Sequence, residues 1–348
     1  EVVALWKQMN SWVYAGFEQT YKRMGVDFDK YYYESDTYLL GKDIVNEGLE
    51  KGVFYRKSDN SVWVDLTDEG LDHKLVLRGD GTSVYITQDM GTADLKSSEY
   101  QIKRSIYVVG NEQDYHFQVL FKILKKLGRP YAEGLYHLSY GMVELPSGKM
   151  KSREGTVVDA DDLMSVMVET ARERTNELGK IDELNAYEAA QLYEMLGIGA
   201  IKYFLLKVDA RKKILFNPEE SIELQGNTAT AIQYTHARAS SILRKAAQLK
   251  IDAAPSEVVL NALEKNLIKI LTALPEKIKE AADNYSPSIV ANYMYEVSRE
   301  YNAFFAHVPV FKAESNEQIA FRVYLSQLTA QVLRFSGQLL GIQMPERM

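Results

Sequence analysis

From about Asp159 onward the chain changes texture, and that change narrows the available folds more than any other feature. Beyond it, apolar residues recur every three to four positions. The first such stretch holds Leu192, Met195, Leu196, Ile201, Leu205 and Val208; the next holds Leu260, Leu263, Leu267, Leu271 and Leu274. That period belongs to helices with one buried face. Ser286-Pro287 reads as a helix start, with Ser as cap and Pro in the first turn, and the helix runs to about His307 before Val308-Pro309. A last helix spans Glu317 to Leu340 and is closed by Gly341 and Pro345. The second half is therefore predicted to be a helical bundle, with a boundary near 180–190.

The first half is punctuated differently. Residues 1–25 carry Leu5, Met9, Trp12, Val13 and Phe17 at helical spacing. After Tyr31 the segments are short and broken by Gly, Asp and Asn. Val62-Trp63-Val64 and Leu75-Val76-Leu77 read as strands, and Asp80-Gly81 as a hairpin turn between Leu77 and Val84. Ser105–Val109 is a β-branched run ending at Gly110, Phe117–Leu127 a helix with Lys122, Lys125 and Lys126 outward, and Tyr136–Tyr140 and Gly141–Leu145 further strands. Strand, helix and strand in alternation predict a mostly parallel, doubly wound sheet.

Composition excludes several classes. With no cysteine, disulfides, thiolate-held zinc, iron–sulfur clusters and a thiol nucleophile are ruled out. No apolar run approaches the roughly 18 residues of a membrane span, and a cytoplasmic setting is expected. The net charge is −7; residues 216–348 hold 13 Lys/Arg against 14 Asp/Glu, so any polyanion must be met by local patches. The histidines at 73, 116, 137, 236 and 307 have no metal-ligand spacing, and no protein-held metal is expected.

Four clusters carry chemistry. Gly148-Lys149-Met150-Lys151-Ser152-Arg153-Glu154-Gly155 places three cations between glycines, suited to a polyphosphate whose charge grows in a transition state; the plain alternative is a solvated basic turn. Gly110-Asn111-Glu112-Gln113-Asp114-Tyr115-His116 follows a strand, where ligands bind in open α/β sheets; Glu112 and Gln113 could bond a polar substrate, or Asn111 and Asp114 simply cap the next helix. Tyr85, Thr87 and Asp89 alternate at strand spacing and so share one face, on which the carboxylate suits a guanidinium; otherwise this is an edge strand with a polar side. Gln233-Tyr234-Thr235-His236-Ala237-Arg238 sets an aromatic beside a base on a helix, fit to stack an unpaired base or merely to fill core and surface.

The order and spacing of these clusters closely resemble the C-terminal part of the arginyl-tRNA synthetase family, class I aminoacyl-tRNA synthetases. The resemblance runs from Leu5 to Met348 through Tyr85-Ile-Thr-Gln-Asp89, Tyr107-Val-Val-Gly-Asn-Glu-Gln-Asp-Tyr-His116, the Lys149–Arg153 loop, Gln233-Tyr-Thr-His-Ala-Arg238 and Pro345-Glu-Arg-Met348. It implies activation of L-arginine by ATP, with Mg2+ bound to the ATP, and transfer to the 3′ end of tRNA(Arg). Tyr85, Asp89 and Gln113 would contact arginine, with Asp89 on the guanidinium. His116, Met150 and Lys149 would face ATP, and Lys149, Lys151 and Arg153 would stabilise the transferring phosphate. Gln233, Tyr234, Arg238 and Met348 would meet the anticodon. Neither DNA nor a membrane is an expected partner.

Two departures stand out. The family's loop is Lys-Met-Ser-Lys-Ser, whereas Lys-Met-Lys-Ser-Arg stands here; either the second lysine is missing or a deletion makes Lys151 that lysine. The family's His-x-Gly-His signature is absent from the 348 residues. The expectation is a fragment, inactive alone. Residues 1–185 would be the second half of a partial Rossmann-like class I catalytic domain with its connective insertion, α/β in class. Residues 186–348 would be an all-α helical-bundle anticodon-binding domain. A stand-alone, non-catalytic tRNA-binding module is the main alternative. A synthetase for cysteine or glutamine is disfavoured by Asp89, and a plain interaction protein would need four motifs to agree in order by chance.

Overall fold

A computed structural model describes residues 1–144, 159–177 and 184–348. The Lys149–Arg153 loop lies outside them, and nothing in the structure bears on the two readings of it. The described chain forms two compact units, Asp27–Met142 and a second made of Glu1–Val26 with Val143–Met348.

In the first unit, Phe54–Arg56, Val62–Val64 and Lys74–Leu77 form an antiparallel sheet, with Phe54 opposite Val64 and Arg56 opposite Val62. Val62, Val64 and Val76 are fully buried, the two-residue period of a half-covered strand. The expected turn follows, with Gly81 at φ 81° and Leu77 bridged to Ser83. Ser105–Gly110 then pairs in parallel with Leu135–Tyr140 across the helix Asp114–Lys126. That helix buries Phe117, Leu120, Ile123 and Leu124, while Lys122, Lys125 and Lys126 turn outward to Glu69, Glu133 and Asp68. Among the described residues the parallel strands form two separate pairs, the second being Val143–Glu144 with Ile214–Leu215, rather than one continuous sheet.

One expectation is overturned. Tyr85–Tyr100 is a helix, not a strand. Ile86, Met90 and Ala93 are buried at helical spacing, and Thr87 closes the first turn by accepting the Val84 N–H at 3.1 Å while donating to the Val76 carbonyl. The β-branched Ile86-Thr87 pair mimics a strand, but burial at positions four and seven decides the outcome. Tyr85 and Asp89 still share a face, now one turn apart, whereas Thr87 points into the core.

A charged knot ties this unit together. Arg129 bonds Glu47 at 2.7 Å and Asp94 at 2.8 Å. Its guanidinium, helped by the Lys51 ammonium, holds the Glu47 carboxyl down at about 2. A carboxylate depressed on folding stabilises fully above its ordinary value and loses that contribution as pH falls through the folded one. Protection of the amides in the helix Gly41–Glu50, measured against their intrinsic exchange rate at each pH, should therefore fall as pH drops from 4.5 toward about 2. Glu47→Gln should flatten this dependence. Equal acid sensitivity in both chains would locate the loss elsewhere.

The second unit is helical. Ala186–Leu206 starts at an Asn185–Glu188 capping box, Ala262–Thr272 at an Asn261–Glu264 box, Pro287–His307 after Ser286, and Asn316–Leu339 after Ser315. The leucine run from Leu260 breaks at Ala273, where Pro275 begins a separate helix, Leu274–Asp283. Ile232, Leu267, Met294, Val297, Phe304 and Leu333 are fully buried in the bundle core. The helix Val2–Met24 belongs to this unit although sequence order places it in the α/β half. It buries no residue, and Trp12 and Phe17 are 64% and 53% exposed.

Candidate functional site

At the carboxyl end of Ser105–Gly110 the chain makes a short turn, Asn111–Gln113, and enters the helix with Asp114 and His116 in its first turn. His116 Nε2 lies 2.6 Å from Asp89 Oδ2, so the two motifs meet directly, and Oδ1 of the same carboxylate is left for a further donor. Behind them stands Tyr107; burial pushes its phenol up, and the Asp89 charge adds to the effect. The Lys96 ammonium sits 5.2 Å over the Tyr107 ring. His137 fastens the floor by donating from Nε2 to the Val109 carbonyl at 3.0 Å. Tyr85, one helical turn before Asp89, is 76% exposed, and Gln113 is exposed in the turn three residues before His116. Gly110, not Asn111, caps this turn, Asp114 is engaged by His137 Nδ1 at 3.4 Å, and Asn111, Glu112 and Gln113 are exposed. A carboxylate held by an imidazole and flanked by phenols can take a planar, forked cation. His116, expected beside the nucleotide, touches the residue expected to hold arginine. No cluster among the described residues groups three metal-ligating side chains.

The second candidate lies within the helical unit. Tyr234, Arg238, Arg244, Phe305, Arg347 and Met348 line a pocket of about 510 Å³. The Arg238 guanidinium stacks between two rings, 4.9 Å from Tyr234 and 4.8 Å from Phe305, and donates to Asn302. An aromatic–arginine wall with further arginines at its rim suits an unpaired base and its phosphate. Nothing in the sequence singles out Phe305 or Arg244, because helix packing alone brings Phe305 to Arg238. Arg347 sits inside the terminal motif.

Gln233 must be corrected. It is fully buried, and its Nε2 donates to the carbonyls of Gln343 at 2.8 Å and Met195 at 3.3 Å. A side chain sealed under Gly199 and the terminal segment has no path to a base. Its neighbour His236 is likewise structural, with Nδ1 donating to the Pro345 carbonyl at 2.8 Å, and burial holds its imidazole below the ordinary value. Gln233 and His236 thus pin the last residues of the chain, which places Met348 at the pocket.

Comparison with known proteins gives two family matches in succession along the chain. A family model described as "tRNA synthetases class I (R), catalytic domain" matches residues 1–217, and one described as "DALR anticodon binding domain" matches 232–348. A curated relative named arginine–tRNA ligase from Phocaeicola vulgatus is 58% identical over 100% of this chain and 58% of its own length. One from Flavobacterium psychrophilum is 56% identical, with the same coverage. The chain thus spans less than two thirds of the length of these relatives. Among solved structures, the arginyl-tRNA synthetase of Thermus thermophilus matches with a TM-score of 0.86 at 24% identity, over 95% of this chain and 62% of that one. That of Plasmodium falciparum matches at 0.82 and 21%, over 99% and 58%. At such identities these two structures share the fold: Rossmann-like α/β followed by helices.

Proposed function

The chain belongs to the arginyl-tRNA synthetase family, and from that premise we propose that it supplies part of an arginine-activating centre together with an anticodon-reading domain. In this reading the arginine carboxylate attacks the α-phosphate of ATP, which enters with Mg2+, and pyrophosphate leaves. The terminal ribose hydroxyl of tRNA(Arg) then displaces AMP from the adenylate. Asp89 holds the guanidinium, with Tyr85 and Gln113 beside it, and His116 orients the Asp89 carboxylate. Lys149, Met150, Lys151 and Arg153, placed here by sequence alone, close on the triphosphate. Residues 1–185 serve catalysis and 186–348 serve the tRNA, in a cytoplasmic enzyme.

The observation that carries this is Asp89 bound to His116 at the carboxyl end of a parallel strand pair, where α/β folds bind substrates. Its test is arginine-dependent exchange of pyrophosphate into ATP. The 348-residue chain alone is expected to be silent, because half a pocket lacks the geometry for in-line attack. Joined to the portion of the Phocaeicola vulgatus relative that the match leaves uncovered, it is expected to be active. Activity with another amino acid, or with none, rejects the reading.

A second reading, a tRNA-binding module without catalysis, is favoured by one fact: every residue lining the aromatic–arginine pocket belongs to the helical unit. Exchange activity in the completed chain would remove it. Both readings share one prediction. The chain binds an arginine-type transcript better than one differing only in its anticodon. Tyr234→Ala weakens the better complex about ten- to hundred-fold, the worth of one stacked base. Fluorescence titration measures this, and an unchanged affinity would return Tyr234 to a packing role.

A further inference from the structure

A second cavity of the helical unit, about 680 Å³, opens between the end of the helix Val2–Met24, the helices Ala186–Leu206 and Asn316–Leu339, and the segment Gly341–Met344. Lys22, Arg23, Lys202 and Arg334 line it against one carboxylate, Glu194. In a chain of net charge −7 that is a local inversion of sign. Glu194 is also spoken for: Arg23 grips it through Nε at 2.7 Å and Nη2 at 3.4 Å. What remains unneutralised is Lys22 and Lys202.

Lys202 is the informative one. Its half-buried ammonium donates to the Gly341 carbonyl at 2.7 Å and meets no carboxylate among the described residues. An ammonium has three N–H groups, and a lone carbonyl satisfies one of them. Burial alone lowers its pKa, with no acid to oppose the cost. Lys22 has no bonded partner among the described residues; its place in the last turn of its helix suits the dipole there. That explanation does not reach Lys202, which lies on another helix. Gly25, the C-cap of its helix, and Gly341, the residue after the C-cap Leu340, both at positive φ, leave the ammonium unshielded, since a Cβ at Gly341 would stand 3.0 Å from it.

The cavity adjoins the aromatic–arginine pocket. Glu346 stands between them, its carboxylate bound by Arg334 on one side and its carbonyl by Arg244, at 2.7 Å, on the other. The Glu346 carboxylate is offset by its pairing with Arg334, so a polyanion seated in one pocket can continue past it into the next. We propose that Lys22 and Lys202 bind a backbone phosphate of the RNA whose unpaired bases occupy the Tyr234–Arg238 pocket. The inference rests on the tRNA reading and adds a contact blind to sequence.

The test is titration of the 348-residue chain with the two transcripts across a salt series. Lys22→Gln, at an exposed position with no bond to lose, and Lys202→Gln should each weaken both complexes equally, about three- to ten-fold. Each should also flatten the logarithmic salt dependence by about one phosphate's worth. Lys202→Arg should keep most of the affinity, and the preference between transcripts should not move. Unchanged affinity and slope in both glutamine variants overturns the proposal. So does calorimetric binding of inorganic phosphate that the variants abolish while RNA affinity stays put, since the site would then serve a free anion. If the unaltered chain binds both transcripts equally and the lysine variants still weaken binding, the anticodon reading falls and this contact stands. If it binds neither, both fall.

Discussion

Glu264→Ala is expected to remove about 3–5 kcal/mol from the stability of the helical unit, the usual cost of stranding one member of a buried ion pair. Glu264 is fully buried and spends both oxygens: Oε1 accepts from Arg322 Nε and Oε2 from the Asn261 N–H, each at 2.8 Å. Arg322 is 9% exposed and also donates to the Pro309 carbonyl at 2.9 Å. Alanine leaves that guanidinium without a counter-charge and opens the first turn of Ala262–Thr272, where the capping box is worth about 1 kcal/mol by itself. The pair joins two helices to the turn before Asn316, so the loss is felt across the bundle. Glu264→Leu with Arg322→Met should recover most of it, because apolar groups of similar volume dispense with the desolvation of both charges. Urea unfolding followed by circular dichroism reads both results as midpoint shifts. A loss below about 1 kcal/mol for the single variant would mean the pair is effectively solvated.

The helical half was legible because its signals are local. Ser286-Pro287 places one helix start and apolar spacing marks the others, while the boxes Asn185–Glu188 and Asn261–Glu264 are equally local signals that the spacing argument did not use. Tyr85–Tyr100 was misread because Ile86 and Thr87 favour strands locally, while the burial that makes them helical is set by Val76 and the sheet beyond. In Val2–Met24 the periodicity is right, yet no residue is buried: spacing reports a face and not its partner. The sites follow the same rule. Asp89 and His116 were each marked by their motifs, but their contact joins residues 27 apart and exists only in the fold. Gln233 and Tyr234 are neighbours with opposite fates, since one residue along a helix turns a side chain by about 100°. One lies under the terminal segment and the other beside Arg238.

Asp89→Asn, in the chain completed with the uncovered portion of a relative, is expected to lower arginine-dependent kcat/KM about 10²- to 10³-fold. The substitution keeps the shape and one acceptor oxygen, so the His116 contact can persist and the fold is spared. What is lost is the charge that meets the guanidinium beside the His116 contact. Asp89 is 44% exposed in this chain, and truncating such a pair costs about 2–5 kcal/mol once the bound substrate and the completing portion shield it from water. The guanidinium is remote from the carboxylate that reacts, so the contact is equal in ground and transition states and its loss falls mainly on KM. A neutral analogue with a urea in place of the guanidinium should be affected far less, which collapses the discrimination between the two. The 348-residue chain offers a check independent of activity. Burial holds the Tyr107 phenol above its ordinary range and the Asp89 charge adds a smaller push in the same direction, so Asp89→Asn should let Tyr107 titrate at somewhat lower pH, as read from a labelled ring. If Tyr107 moves while the arginine KM of the completed chain stays near normal, Asp89 is charged and correctly placed but does not hold the substrate. The cation would then have to be met elsewhere, with Tyr85 and Gln113 left to recognise only its polar edge.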